Sequence, residues 1–190
     1  SVVADARQVF GRLPPRFVPG HPIAGTEQSG VDASFAELYR NRRVILTPLP
    51  DTDPVATAQV QAMWEACGAE VTQMAVDHHD EVLAATSHLP HLLAYGLVDS
   101  LARLRENDEI FRYAAGGFRD FTRIAGGHPE MWRDICVANR QALLGELDAY
   151  LAELALLRAY LMSGDGAGLE GIFGEARDAR NAWAEKHLNN

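Results

Sequence analysis

Three stretches of this chain carry residue types that can do chemistry. The first, GHPIAGTEQSG at 20–30, sets His21 between a glycine and a proline directly after the β-like run RFVP. Positions just past the carboxyl end of a strand are where open α/β sheets take ligands, and glycines on either side let a ligand come close to the backbone. A neutral imidazole held there can accept a proton. The plainer alternative is a turn whose histidine faces water.

The second stretch, HHDEVLAATSHLPH, holds His78, His79, His88 and His91. On a continuous helix His88 and His91 share a face, with Ser87 beside them. A metal site is not the expectation, because spacings such as H-E-x-x-H are absent and neither Cys67 nor Cys136 is placed to help. Two readings stay open: core histidines with satisfied hydrogen bonds, or a polar notch beside Pro90 that builds a ligand site. The third stretch, AAGGFRDFTRIAGGHPEMWRD at 114–134, brings Arg119 and Arg123 four residues apart. A guanidinium grips a carboxylate through two parallel hydrogen bonds. Arg123 lies between Phe121, Ile124 and Ala125, where an unpaired charge is costly until a partner arrives. Arg119 reads equally as a surface ion pair with Asp120 or Asp134, worth under about 1 kcal/mol.

Those side chains need elements to hold them. The 190 residues, 47% of them hydrophobic, suffice for one large or two small domains with a substantial core. A formal net charge of -9 and no basic cluster argue against nucleic acid, and an anionic small molecule would need a local cationic pocket. Cys67 and Cys136 lie far apart in helical-looking segments, which predicts buried thiols in a reducing compartment and hence a cytoplasmic protein. No apolar run approaches the roughly 20 residues of a membrane span, and no secretory leader pattern opens the chain.

Up to Ala75, strand-like runs at 16–20, 42–49 and 70–74 alternate with the helical runs DASFAELY and PVATAQVQAMWEACG. This predicts βαβ units around a parallel sheet, with Asp53 capping the helix that Pro54 opens and Gly68 closing it. No strand in 1–75 is followed by a G-x-G-x-x-G turn, so the doubly wound half reads as incomplete. From residue 76 onward the pattern is helical. One segment, 77–104, is interrupted only by Pro90, which should kink it or be absorbed. A second, 129–162, carries Leu143, Leu147, Tyr150, Leu154, Leu157 and Leu161 at four-three spacing, widened by Leu144 and Leu151, as a core helix or an intermolecular seam. SGDGAG at 163–168 reads as a loop before a last helix with Arg177, Arg180 and Lys186.

In this order and at these intervals, GHPIAGTEQSG, SHLPH and GGFRDFTRIA followed by MWRDI resemble the prephenate dehydrogenase family of tyrosine biosynthesis, over nearly the whole chain. The resemblance implies an α/β plus all-α protein. Residues 1–75 would be the C-terminal part of a Rossmann-type parallel sheet, and 76–190 an all-helical substrate-binding and dimerisation domain. Family members carry their glycine-rich turn upstream of where this chain starts, which implies a truncated member. The implied reaction is oxidative decarboxylation of prephenate to 4-hydroxyphenylpyruvate, with hydride passing to NAD or NADP and no metal. By the family's pattern His21 accepts the hydroxyl proton and Arg123 makes the main anion grip. His91, His88 and Ser87 match the helical wall near the substrate, and Thr26 and Glu27 the loop after the catalytic histidine. Trp132 matches a residue that supports the pocket, and Gly117 and Asp120 a loop that can reach the partner's site. His79, with Pro22 and Ile23, falls on the cofactor side. A homodimer acting on a small molecule is the implied assembly. The alternatives are a non-catalytic helical dimerisation module of a larger or multifunctional enzyme, an arogenate dehydrogenase and, more distantly, a hydrolase with His21 as base.

Overall fold

The computed structural model of the chain describes residues 2–25, 30–105 and 107–187. It separates into two compact units, 1–143 and 144–190. The first opens with helix α1 (Val2–Phe10) and contains a three-stranded sheet of order β1 (Gly20–Pro22), β2 (Arg43–Leu46), β3 (Glu70–Gln73). β2 is the central strand, and its run Val44, Ile45 and Leu46 is buried throughout, as a strand covered on both faces requires. Val44, Leu46 and Ala69 form the core, against which Val18, Tyr39, Val60, Trp64 and Val71 pack.

β2 and β3 run parallel, with helix α2 (Pro54–Ala66) crossing between them. The Asp53 carboxylate accepts the Val55 N–H at 2.8 Å, Pro54 occupies the first turn, and Gly68 takes φ +83 beyond Cys67. These are the caps expected from the sequence. β1 departs from expectation by pairing antiparallel with β2 and by starting at Gly20 instead of Arg16. Pro14, Pro15 and Pro19 cannot donate to a ladder, so regular pairing is delayed to Gly20. His21 is therefore inside a strand, opposite Ile45, and not past its end. DASFAELY forms no α-helix: Val31–Ala33 is a single 3-10 turn, and Ser34 donates from its hydroxyl to the Val31 carbonyl at 2.6 Å. That local bond competes with helix propagation.

The helical part of this unit begins with α3 (Val76–Leu83), passes through a π turn (Ala84–His88) and continues as α4 (Leu89–Ala102). Pro90 is absorbed as the second residue of α4, just past the wide turn, where the i−4 hydrogen bond that its ring cannot make is not needed. Two short helices, α5 (Asn107–Arg112) and α6 (Gly116–Thr122), and a 3-10 turn (Arg123–Gly126) pack against α4. The predicted single helix over 129–162 is broken into α7 (Pro129–Ala138) and α8 (Arg140–Ser163) at Asn139, whose φ of -104 and ψ of 25 leave the helical region. Asparagine is a poor helix former, and this one is drawn into side-chain bonds described below.

The second unit consists of the remainder of α8 and of α9 (Gly166–His187). The loop expected over 163–168 shrinks to Gly164 and Asp165, with Gly164 at φ +68 and Asp165 accepting the Gly168 N–H at 2.9 Å. Leu144, Leu151, Leu161, Phe173 and Trp183 in this unit are all exposed.

Candidate active site

The site joins a strand near the start of the chain to a helix and the turn that continues it, more than 50 residues later. β1 supplies His21, α3 supplies His79 and Asp80, and the π turn supplies His88. His21, His79, Asp80 and His88, with Thr47, Ile135 and Asn139, line a cavity of about 320 Å³. A Cβ at Gly20, beside His21, would meet the tip of the buried Leu46 side chain at 2.9 Å and push it aside.

A chain of hydrogen bonds fixes which nitrogen of each ring carries the proton. The Asp80 carboxylate is 2.9 Å from His79 Nδ1 and can only accept, so that nitrogen donates. In the neutral His79 ring Nε2 then holds a lone pair, and it lies 2.9 Å from His21 Nδ1, which donates to it. His21 is left with a bare Nε2. The two rings meet edge to face, with centroids 5.2 Å apart. Burial against these neighbours lowers the His21 pKa below 6.5, and His79 pushes the same way against the opposing pull of Asp80. The ring is therefore a neutral proton acceptor at physiological pH.

His88 is likewise held below 6.5, chiefly by burial and then by His21. Asn139 donates to the Asp80 carbonyl at 2.7 Å and stands 3.0 Å from His88 Nδ1. His91 donates from its ring Nδ1 to the Ser87 carbonyl one turn earlier at 2.8 Å, a side-chain bond that fixes the ring against the helix. Its ring stacks on Trp132, with centroids 3.6 Å apart and 19° between planes. Burial lowers its pKa, partly offset by the Ser87 bond, and the charge of Arg123 lowers it further. The stack needs Gly127, where a Cβ would lie 2.6 Å from the indole nitrogen, and Tyr95 holds that glycine by donating to its carbonyl at 2.7 Å.

His21, His79 and His88 thus come together, and His91, Ser87, Trp132 and Arg123 form an adjoining group. Pro22 and Ile23 continue the β1 ladder, the Ile23 N–H donating to the Arg43 carbonyl at 2.8 Å. Gly117 and Asp120 lie on α6, where Asp120 pairs with Arg119 at 3.3 Å in an exposed ion pair. Arg123 is exposed, so the expected cost of burying its charge among apolar neighbours does not arise. Thr26 and Glu27 lie outside the described residues. Neither Cys67 nor Cys136 forms a disulfide, but Cys67 is exposed and not the buried thiol expected. Among the described residues no group of three or more His, Cys, Asp or Glu is placed to hold a metal ion, and no helix is long and apolar enough to cross a membrane. Sequence reading passed over Asp80 and Asn139. An acid directly following the second of two histidines, and a lone asparagine inside a helical run, were the signals.

A second, open hollow of about 770 Å³ lies past the carboxyl ends of β2 and β3, lined by Arg7, Pro48, Leu49, Gln73, Met74 and Asp77 among others. That is the position at which an open α/β sheet receives a nucleotide. Residues 1–75 contain no G-x-G-x-x-G run, and the one at 166–171, GAGLEG, lies within α9 and follows no strand.

Known proteins bear on this arrangement. Residues 1–73 match the family description "Prephenate dehydrogenase, nucleotide-binding domain", and residues 75–175 match "Prephenate dehydrogenase, dimerization domain". The chain is 45% identical to cyclohexadienyl dehydrogenase of Zymomonas mobilis over 172 residues, 90% of this chain and 59% of that protein. It is 38% identical to prephenate dehydrogenase of Bacillus subtilis over 187 residues, 95% of this chain and 49% of that one. A crystal structure of prephenate dehydrogenase from Aquifex aeolicus in complex with hydroxyphenyl propionate and NAD+ superposes with a TM-score of 0.87 at 38% identity, covering 96% of this chain and 63% of that one. The chain therefore spans between about half and two thirds of these relatives.

Proposed function

The chain belongs to the prephenate dehydrogenase family, and from that premise we propose that it supplies the proton-accepting and anion-binding parts of an enzyme that oxidatively decarboxylates prephenate to 4-hydroxyphenylpyruvate. The observation that carries the reading is the Asp80–His79–His21 chain of hydrogen bonds, which leaves a bare Nε2 on His21 at the edge of a cavity.

Prephenate is a cyclohexadienol with a ring carboxylate, a hydroxyl on the opposite carbon and a pyruvyl side chain. His21 Nε2 accepts the hydroxyl proton while the carbinol hydrogen leaves as hydride. The ring carboxylate departs as carbon dioxide, its bonding pair enters the ring, and the proton returns to the phenolate oxygen. A bound NAD or NADP supplies the hydride acceptor, with His79, Pro22 and Ile23 assigned to its side of the site. Arg123 grips a substrate carboxylate, and the stacked His91 and Trp132 wall, with His88 and Ser87, orients the ring. Thr26, Glu27, Gly117 and Asp120 are assigned to the loops that border the substrate. Residues 1–75 serve the cofactor, and 76–190 serve the substrate and a homodimer, whose contact the exposed apolar side chains of 144–190 support. We place the reaction in the cytoplasm.

The test is steady-state kinetics of the active dehydrogenase with prephenate. Replacing His21 by asparagine should abolish most turnover with little change in substrate affinity, and near-normal turnover in that variant would remove the assignment.

A further inference from the structure

Asn139 has no part in the mechanism above, yet it reaches two members of the cluster across the break between α7 and α8. Its carboxamide could in principle face either way, but the Asp80 carbonyl settles the orientation. A carbonyl only accepts, so the group 2.7 Å from it is the amide nitrogen. The same nitrogen has a second hydrogen, and His88 Nδ1 lies 3.0 Å away. That hydrogen occupies the place a proton on Nδ1 would need, so Nδ1 must accept and Nε2 must carry the ring proton.

We infer that Asn139 is a positioning residue that locks His88 in its neutral Nε2–H tautomer, so that the cavity holds one histidine acting as acceptor, His21, and one acting as donor, His88. The pair is complementary to a ligand that offers a hydroxyl proton to the first and a carboxylate or carbonyl oxygen to the second. This extends the functional reading above, and rests on it for the identity of the ligand. The lock itself rests on the geometry alone. His88 also faces His21, His79, His91 and Asp80, of which only the carboxylate favours a charged ring. An amide that offers a hydrogen and not a lone pair adds to the forces keeping it neutral.

The experiment is nitrogen-15 NMR of the histidine rings in the 190-residue chain. Wild type should show His88 protonated on Nε2 alone. Asn139→Asp places a carboxylate where the donor was, so Nδ1 should gain a proton and the His88 pKa should rise by roughly one to three units. Asn139→Ala should release the lock and give a mixture of tautomers. An Nδ1-protonated His88 in wild type overturns the inference without any variant. An unchanged Nε2–H signal in whichever variants keep the wild-type melting temperature also overturns it. Titration with hydroxyphenyl propionate in the presence of NAD+ separates the two layers. Asn139→Ala should weaken binding by about tenfold, the loss of one hydrogen bond to a charged acceptor. A lock seen in wild type, with no hydroxyphenyl propionate bound by the active dehydrogenase, would uphold the tautomer assignment and refute the functional reading.

Discussion

Within residues 1–143 the polar side chains His21, His79, His88 and Asn139 are bonded to one another or to backbone over sequence separations of 51 to 59 residues. Within residues 144–190 the side chains most costly to expose, Leu144, Leu151, Leu161, Phe173 and Trp183, stand in water. The first region is closed on itself, because every bond needed to set its ring protons is made inside one copy. The second is open, and its apolar side chains gain their burial only against another surface. If the proposed seam lies in 144–190, chemistry and association can each be broken with the other left standing.

The largest effect should come from His21→Asn, which keeps a hydrogen-bonding group and removes the basic nitrogen. Turnover should fall roughly 10²- to 10⁴-fold, as for general acid–base groups elsewhere, with dimer dissociation unmoved. In the opposite region, Leu151→Glu with Leu161→Glu would put charges into the proposed seam. Sedimentation should show dimerisation weakened by roughly a hundredfold, several kcal/mol of desolvated charge, while the His21 and His88 ring signals stay in place. Signals that move with the dimer would erase the distinction between the regions.

Arg123→Ala should weaken substrate binding by about 1.5–3 kcal/mol, the range for hydrogen bonds to charged groups, and Arg123→Lys by less, because the charge survives without the fork. Turnover at saturation should change little. A lowered melting temperature with an unaltered KM would show Arg123 to be a structural residue instead.

The smallest effect is in pH. His21, His88 and His91 all have folded-state pKa values below the ordinary 6.5. On acidification the unfolded chain takes up its protons first, so their contribution to stability is fully present above about pH 6.5 and declines as pH falls toward the lowered values. Melting temperature should therefore drop from pH 7 to pH 5, and His88→Gln should flatten that slope. A melting temperature that rises over the same interval would contradict the directions of all three shifts.

Much of the site could be read from sequence because histidine beside proline and glycine, or arginine in a short apolar helix, is unusual in itself. The caps of α2 and the buried run of β2 were legible for the same local reason. What escaped were consequences of contacts distant in sequence. Nothing near Asp80 announces that the neighbouring His79 will meet a ring 58 residues earlier. Asn139 looked like one weak position in a long periodic helix, because periodicity records which face is apolar and not where a side chain is pulled out of line. The antiparallel β1 escaped because prolines hide a strand's true start.

The π turn at Ala84–His88 sets a constraint on how such a site can arise and be lost. A π turn holds one residue more than an α turn, and one residue is about 100° of helical rotation. Point substitutions conserve length, so none of them can restore a regular α-helix there without also turning α4 by that angle relative to α3. Shortening the turn by a single codon would swing His91 and Ser87 away from His79 and Asp80 in one step. Along this helix, lineages descended from a common ancestor should therefore tolerate exchanges of side chains far more readily than a change of length. A one-residue gap between two relatives at 84–88 would mark a difference in what they bind.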